Sequence, residues 1–224
     1  MRRYLAVSLC LGLMSFSCGV TRHFTPDPSI PGTVHVDQIE FGVFETYRTI
    51  DITPATGVLR QTSESPSAGR ARTSSFSTGS LSSFITGALY HCANIPAAAS
   101  RDGSYVARCS STMTLEGPID SIYVDVNRWD LNAPVWSRTF DFGWYVAGFG
   151  WSPRSPQLAI LVQSSFPLKG VIPTILRYSG HPIPDETVHL LIASASTKAV
   201  RDFVLIEHAS YGTPRLLGWD ASGK

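Results

Sequence analysis

Two stretches of the sequence, SRDGSYVA (residues 100–107) and WSPRSPQLAI (residues 151–160), follow one pattern. Each begins with a serine-containing turn rich in Gly, Pro or Asp and continues into a run of mostly apolar residues. Pro pre-sets φ at one corner of such a turn, Asp hydrogen-bonds its own backbone, and Gly accepts a positive φ. A third copy of the turn, WDASGK (residues 219–224), stops where its strand would begin. The pattern predicts a repeated unit of a turn followed by a strand.

The runs that follow the first two turns, 105–109 and 158–162, show small and large apolar residues in succession. This is typical of strands that are buried on both faces. Helical periodicity is hard to find after residue 30, and short Val, Ile, Tyr and Phe runs recur between turn residues. We therefore expect an all-β fold.

Further strand-like segments accompany each turn. They lie at 46–52, 121–126 and 188–193, followed by 57–62, 135–140 and 202–206. Val124 precedes Ser152 by 28 residues and Ile192 precedes Asp220 by 28, whereas the interval from Ile50 to Ser100 is 50. The excess of 22 matches a Ser-rich insertion at 62–83, and a Pro-rich insertion lies at 166–184. Both insertions are expected to be surface loops.

The repeated unit of a turn and its strands resembles the four-stranded blade of bacterial β-propellers of the WD40-like and TolB-like kind. Trp151, Ser152 and Pro153 keep the front of the Ser-Pro-Asp-Gly turn of these blades, and Asp102 and Gly103 keep its back. The resemblance implies a propeller-like domain of four-stranded antiparallel blades over residues 32–224.

Blades of the usual repeat length allow roughly four in a chain of this size. Fairly complete blades are recognised only at 89–140 and 148–207. An incomplete ring or a small ring is therefore expected, because exposed edge strands have to be paired or covered. The N-terminal strands at 33–41 and 43–52 are predicted to pair with a C-terminal strand at 214–219, which would close a small ring.

The N-terminus carries the features of a secretory signal over residues 1–17, with Arg2 and Arg3 before a 13-residue, mostly apolar segment. The stretch Ser-Phe-Ser-Cys-Gly resembles a bacterial lipoprotein box, which implies lipidation of Cys18 and a tether at 18–31. Ordinary cleavage near Ser17 or Gly19 is the alternative. Gly19 after the cysteine, in place of Asp, is similar to the pattern that sends lipoproteins to the outer membrane, so we expect an outer-membrane lipoprotein facing the periplasm, or a periplasmic protein.

The composition excludes several classes of protein. The chain has 224 residues, 18 Lys+Arg against 17 Asp+Glu, and 43% hydrophobic residues. The balanced charge predicts no nucleic-acid partner, and the hydrophobic fraction is too high for a disordered chain. No run reaches the roughly 18 apolar residues that span a bilayer. These properties predict a globular domain with a real core.

Cys92 and Cys109 remain after the signal and the anchor are set aside, and an even pair in an oxidising compartment predicts a disulfide. A turn near residues 101–102 would place the two cysteines almost opposite each other on an antiparallel pair. Two free buried thiols are the alternative. No metal site is expected, because no Cys-x-x-Cys or paired His spacing accompanies them.

Enzyme motifs are absent from the sequence: it has no Gly-x-Ser-x-Gly, no His-Glu-x-x-His and no phosphate-binding glycine loop. The six histidines are scattered, and each is expected to be structural. We therefore predict a protein with no catalytic residues and no cofactor.

An aromatic-rich region over residues 129–151 supplies the candidate ligand-binding residues Trp129, Trp136, Trp144 and Tyr145. Filling of the space between blades is the alternative role for these rings. Two functions follow from the sequence. The first is a cell-envelope lipoprotein whose propeller is a scaffold for unspecified envelope proteins. The second is an extracytoplasmic carbohydrate-binding protein or hydrolase that uses the aromatic-rich region.

Overall fold

The computed structural model describes residues 18–40, 46–64, 97–113, 119–131, 134–141, 144–164, 187–207 and 212–220. These residues form strands and one short 3-10 helix, so the expected all-β fold is confirmed. The strands are β1 (Cys18–His23), β2 (Thr33–Glu40), β3 (Thr46–Thr53), β4 (Val58–Glu64), β5 (Ala98–Ala99), β6 (Tyr105–Met113), β7 (Ile119–Arg128), β8 (Pro134–Asp141), β9 (Trp144–Trp151), β10 (Gln157–Ser164), β11 (Thr187–Ser194), β12 (Val200–Ile206) and β13 (Gly212–Asp220), and the helix is Pro54–Thr56.

The strands form three antiparallel sheets. Sheet A has the order β1-β4-β3-β2-β13, sheet B the order β5-β6-β7-β8, and sheet C the order β12-β11-β10-β9. Sheets B and C therefore follow the chain from one strand to the next. In sheet A, β2 lies between β3 and β13, and β13 comes from the C-terminal end of the described residues.

Strand β2 takes the place of the strand that would follow the third turn signature, because it pairs with β13. Trp219 pairs with Val34 in this sheet, as Trp151 pairs with Leu158 in sheet C and Ala99 with Val106 in sheet B. The strand missing after WDASGK is thus supplied by β2. The predicted pairing between N-terminal and C-terminal strands is confirmed, but the described residues form no closed ring.

Sheet C lies between sheets A and B. One apolar cluster joins sheet A to sheet C through residues such as Val36, Ile50 and Leu161, and a second joins sheet B to sheet C through residues such as Val124 and Ile160. The seven residues of β10 from Gln157 to Gln163 are all buried. Sheet C therefore contributes apolar side chains to a core on each of its faces.

Sheets A and B each have one apolar face and one polar face. In β2, Val34 and Val36 pack toward sheet C, while the alternate residues His35 and Asp37 are only half-buried. In β6, Ala107 belongs to the core, whereas Arg108 is exposed. The prediction of two-sided burial is confirmed for 158–162 and only in part for 105–109, where the consecutive residues Val106 and Ala107 are buried but Arg108 is exposed. The described sheets form a three-layer stack with polar outer faces.

A tryptophan hydrogen bond repeats at both junctions of the stack. Trp151 donates its indole N–H to the carbonyl oxygen of Ala98 at 2.8 Å, and Trp219 donates to the carbonyl oxygen of Gly150 at 2.9 Å. Ala98 and Gly150 hold corresponding places in their strands. The residue after Ala98 pairs with Val106, and the residue after Gly150 pairs with Leu158, which is the same position in the second strand of each sheet. The corresponding position of β5 is Ala99, whose methyl side chain has no donor, so sheet B cannot continue the series.

The segment 18–31 differs from the predicted tether. Strand β1 pairs with β4 from Cys18 opposite Ser63 to His23 opposite Val58, which satisfies backbone groups along the edge of sheet A. The chain then crosses to sheet C, where the Phe24 ring lies 4.7 Å from that of Phe203. The segment is part of the packed fold.

Several predicted segments fall outside the described residues. They are the signal at 1–17, the insertion at 166–184 and all but residues 62–64 of the insertion at 62–83, those three residues belonging to β4. Within the described ranges, no helix has the length and apolarity needed to span a membrane.

Candidate binding site

Three turns lie together at one end of the stack, which we call the turn end. They are residues 100–104 between β5 and β6, residues 129–131 after β7, and residues 152–156 between β9 and β10. The guanidinium of Arg101 donates to the carbonyl oxygen of Pro153 at 3.3 Å, and the backbone N–H of Trp129 donates to the carbonyl oxygen of Ser104 at 3.4 Å. These bonds join the three turns into one surface.

The 100–104 turn is held by its own side chains. The Asp102 carboxylate accepts hydrogen bonds from the Ser100 hydroxyl at 2.6 Å and from the Ser104 backbone N–H at 3.1 Å. Gly103 adopts a φ of 72°, which a side-chain-bearing residue rarely does. The Ser100 N–H donates to the Tyr105 carbonyl oxygen at 2.8 Å, and Ser152 makes the same 2.8 Å bond to Gln157 in the next sheet. The two sequence signatures therefore fold into corresponding turns.

The turn after β7 presents a tryptophan between two charged residues. The Arg128 Nε–H donates to the Asp130 carboxylate at 2.6 Å, and a second guanidinium N–H contacts the other carboxylate oxygen. The Leu131 N–H donates to the Arg128 carbonyl oxygen at 3.1 Å, which tightens the turn. Trp129 projects from it with 68% of its surface exposed, and Leu131 is 47% exposed.

The 100–104 and 129–131 turns border an open surface concavity of about 400 Å³. Its lining combines aromatic rings with charged and hydroxyl groups: Asp102, Gly103, Ser104, Tyr105, Arg128, Trp129 and Asp130. Trp, Tyr and Arg are the side chains that most often dominate the energy of protein interfaces. The concavity thus has the chemistry of a binding surface.

Hydrogen bonds shift the pKa values of the charged side chains around the concavity in the direction that favours their ionised forms. The Ser100 hydroxyl, and after it the bonds from Ser104, hold the pKa of Asp102 below its ordinary 3.8. The bond from Arg128 lowers the pKa of Asp130, and the same bond raises the pKa of Arg128. Both carboxylates and the guanidinium are therefore charged at neutral pH, and their net charge is negative.

The four predicted ligand-binding residues do not share one site. Trp129 lies in the turn-end concavity. Trp136 is 7% exposed and belongs to the core between sheets B and C. The Trp144 ring lies 6.1 Å from that of Phe140, and the Tyr145 hydroxyl donates to the Gln163 side-chain oxygen at 2.6 Å. Trp144 and Tyr145 begin β9, at the other end of the sheets from the turn end.

The predicted cysteine sites stay predictions. Cys109 lies on β6 opposite Val124, and Cys92 lies outside the described residues, so their pairing is not tested. Cys18 is the first residue of β1, and its lipidation is likewise untested. Among the described side chains, no group of three or more His, Cys, Asp or Glu residues is placed to hold a metal ion.

The sequence patterns do not point to the residues around Trp129. They place Asp102 and Tyr105 only in a structural turn and its strand, and they give no role to Arg128. The available signal was the tripeptide Arg128-Trp129-Asp130, which places a large apolar side chain between opposite charges. Pairing of Tyr105 with Arg128 in the β6–β7 register then brings this tripeptide beside the 100–104 turn.

Comparisons with known proteins identify no relative. No family model and no curated protein matches the chain. Among solved structures, it is similar to two mutants of the Synechocystis apocarotenoid oxygenase, with 12% and 11% identity and TM-scores of 0.29 and 0.24. Each similarity covers 91% of this chain and 60% of the oxygenase chain, so the chain spans less than two thirds of either structure.

Proposed function

We propose that the chain is a scaffold of the bacterial cell envelope, anchored by a lipid on Cys18, that binds a protein partner at the turn end. The observation that carries this proposal is the exposure of Trp129, at 68%, beside Tyr105 and Arg128. Leu131, two residues away, is 47% exposed, so Trp129 is part of a small apolar patch rather than a single exposed residue. Tryptophan, tyrosine and arginine are the residues enriched in interface hot spots.

The rigidity of the site supports the same proposal. Trp129 is carried by a turn that is bonded to the 100–104 turn, which is in turn bonded to the turn at Pro153. A turn whose backbone is already ordered loses little conformational freedom when a partner binds. The Arg128–Asp130 pair at the rim supplies charged groups that favour a partner of complementary charge.

We further propose that the three sheets are blades of an incomplete, propeller-like array. Two features favour this arrangement. Strands β5, β9 and β13 pair with the next strand of their sheets in the same register, at Ala99, Trp151 and Trp219. The tryptophan hydrogen bond also repeats between successive sheets. Scaffolds of this architecture present loops from successive blades on one surface. The turn end is that surface.

Site-specific photo-cross-linking in the native envelope tests the partner site. A benzophenone amino acid placed at Leu131, beside Trp129, is expected to give a discrete protein adduct that Trp129→Ala abolishes. The same probe at Leu217, a residue of β13 with 51% exposure, is the matched control. Equal adducts from both positions, or an adduct that survives Trp129→Ala, would contradict the proposal.

A carbohydrate ligand is the second candidate for the same site. It is favoured by the carboxylates of Asp102 and Asp130, which lie in the same concavity as the exposed Trp129 ring. A glycan array probed with the wild-type protein and with Trp129→Ala distinguishes the two. Binding to a defined glycan that is lost in the variant would favour the carbohydrate over the protein partner.

Lipid attachment has its own test. Metabolic labelling with a radioactive fatty acid is expected to mark the wild-type chain and not Cys18→Ser. Labelling that persists in Cys18→Ser would contradict the anchor while leaving the binding site at Trp129 unaffected. Fractionation of the labelled chain with outer or inner membranes then tests the proposed outer-membrane location.

A further inference from the structure

A chain of hydrogen-bonded side chains lies at the end of sheet C that is opposite to the turn end. The Asp202 carboxylate contacts His189 Nδ1 at 2.8 Å, and His189 Nε2 contacts the Thr187 hydroxyl at 2.8 Å. The Thr187 hydroxyl also lies 2.9 Å from the Ser164 hydroxyl. Sequence motifs do not reveal this series of hydrogen bonds, because the residues that form it come from three strands.

The strand geometry explains why these groups meet. Thr187 and His189 are two residues apart on β11, so both side chains lie on the same face of sheet C. Ser164 is the register partner of Thr187 on β10, and Asp202 comes from the neighbouring β12. The rings of Trp144 and His189 lie in a T-shaped arrangement, with centroids 5.4 Å apart and an interplanar angle of 68°.

The hydrogen bonds define the roles that the groups can take. An ionised carboxylate only accepts, so His189 Nδ1 carries the proton that is donated to Asp202. In the neutral imidazole, Nε2 is then an acceptor, and the Thr187 hydroxyl donates to it. A hydroxyl bonded to a histidine that is oriented by a carboxylate is the arrangement of an activated nucleophile.

We propose that Thr187, His189 and Asp202 form an acyl-transfer site that hydrolyses esters. The Thr187 oxygen attacks the ester carbonyl carbon while His189 Nε2 takes the hydroxyl proton. The bond to the leaving alcohol oxygen breaks, and the alcohol receives that proton. Water then attacks the acyl-threonine with His189 as base, which releases the carboxylic acid and restores the threonine. Asp202 acts as a positioning residue.

The surroundings indicate the class of ester. The side chain of His189 is 16% exposed and that of Asp202 is 44% exposed, so the site is accessible from one side. Trp144 forms an aromatic wall beside the imidazole, which favours an acyl or alcohol group with a flat apolar surface. Small aryl esters therefore match the site.

The protein contains a natural control for this arrangement. His35 Nδ1 contacts the Asp51 carboxylate at 2.7 Å on sheet A, which reproduces the His–Asp bond. Within the described part of the chain, no hydroxyl hydrogen bond to His35 Nε2 is found. The two pairs differ in the presence of a nucleophile.

This activity goes beyond the proposed binding role and lies away from Trp129. Ser164 is seven residues along β10 from Gln157, which corresponds to about 23 Å at roughly 3.3 Å per residue. Failure of the cross-linking experiment at the turn end therefore leaves this proposal unaffected, and the reverse is also true.

Hydrolysis of p-nitrophenyl acetate by the whole secreted chain tests the proposal. We expect His189→Gln and Thr187→Val to reduce the rate about 100-fold or more, the usual contribution of a general base, while Thr187→Ser retains activity. Asp202→Asn is expected to lower kcat with little change in KM or in thermal midpoint. His35→Gln should match the wild type.

A covalent probe makes the test independent of the folding of the variants. Diisopropyl fluorophosphate is expected to modify the wild-type chain once, at Thr187, as located by peptide mass mapping. Absence of this adduct, or a rate in His189→Gln equal to that of the wild type, would overturn the proposal. A loss of thermal stability in Thr187→Val without labelling of the wild type would assign the chain of hydrogen bonds a structural role only.

Discussion

Strands β10 and β2 have the same length and opposite sequence patterns. β10, QLAILVQS, has seven buried residues in succession, whereas β2, TVHVDQIE, alternates Val34 and Val36 with the more exposed His35 and Asp37. β10 lies in the middle layer of the stack and β2 in an outer layer. The place of a strand in the stack therefore decides which residues it tolerates, because only the middle layer has an apolar core on each face.

Truncation of a middle-layer side chain is expected to have the largest effect. Leu161 is fully buried in the cluster that joins sheets A and C. Leu161→Ala should lower the free energy of unfolding by about 2–5 kcal/mol, since it leaves a cavity in a packed core. Urea denaturation measures the change. Thr49→Ala, on the outer face of sheet A, is the control and should change stability by less than about 0.5 kcal/mol. Equal effects would show that the layers do not differ.

Loss of the junction hydrogen bonds is expected to have an intermediate effect. Trp219→Phe and Trp151→Phe remove the indole donors that bond the carbonyl oxygens of Gly150 and Ala98. Each substitution should cost about 0.5–1.5 kcal/mol, the net contribution of one hydrogen bond, which thermal denaturation can measure. Because the two bonds hold corresponding places, similar losses are expected. A loss at only one junction would mean that the layers are not held by equivalent contacts.

Disruption of the polar outer face is expected to have a smaller effect. The His35 and Asp51 side chains are 33% and 43% exposed, so solvent screens their contact. Asp51→Asn should change the free energy of unfolding by less than about 1 kcal/mol, as for other exposed ion pairs. A loss as large as that of Leu161→Ala would show that the outer face is covered in the native protein.

The smallest effect is expected at the turn end, outside the layers. The bond from Arg128 lowers the pKa of Asp130, so the contribution of this pair to stability is present above the unfolded pKa and disappears as the pH falls through the lower folded value. Carbon-detected NMR titration of Asp130 should therefore give a midpoint below 3.8, and Arg128→Gln should raise it. An unchanged midpoint in Arg128→Gln would show that the hydrogen bond from Arg128 does not lower the pKa of Asp130.

Local patterns in the sequence were sufficient for the strands and turns. The SRDGSYVA and WSPRSPQLAI signatures fold into corresponding turns, and the incomplete WDASGK signature correctly indicated that β13 would need a partner from elsewhere. The propeller resemblance could not determine how the sheets are arranged, because that arrangement depends on which faces are covered. The exposed Arg108 of β6 is the local residue that argued against burial on both faces.

Other features had no local signal at all. Strand β1 is an edge strand with one neighbour, so it needs no hydrophobic periodicity, and its Val20 is 42% exposed. The aromatic-rich region is continuous in sequence but passes along an entire strand, which separates Trp129 from Trp144. The hydrogen bonds of His189 join residues from separate strands, and a scattered histidine gives no indication of such neighbours.

The direction of β1 determines how a lipidated chain would face the membrane. Cys18 is opposite Ser63 and His23 opposite Val58, so β1 runs from the end of sheet A that is remote from the turns toward the turn end. Because Cys18 is itself the first paired residue of β1, no linker would separate the lipid from the sheet, and the strands of sheet A would run roughly perpendicular to the bilayer. Trp129 would then point away from the lipid into the aqueous space, and Thr187 would face the headgroups. In this orientation the anchor would decide what each end can meet: partners in the aqueous space at the Trp129 end, and compounds close to the bilayer surface at the Thr187 end.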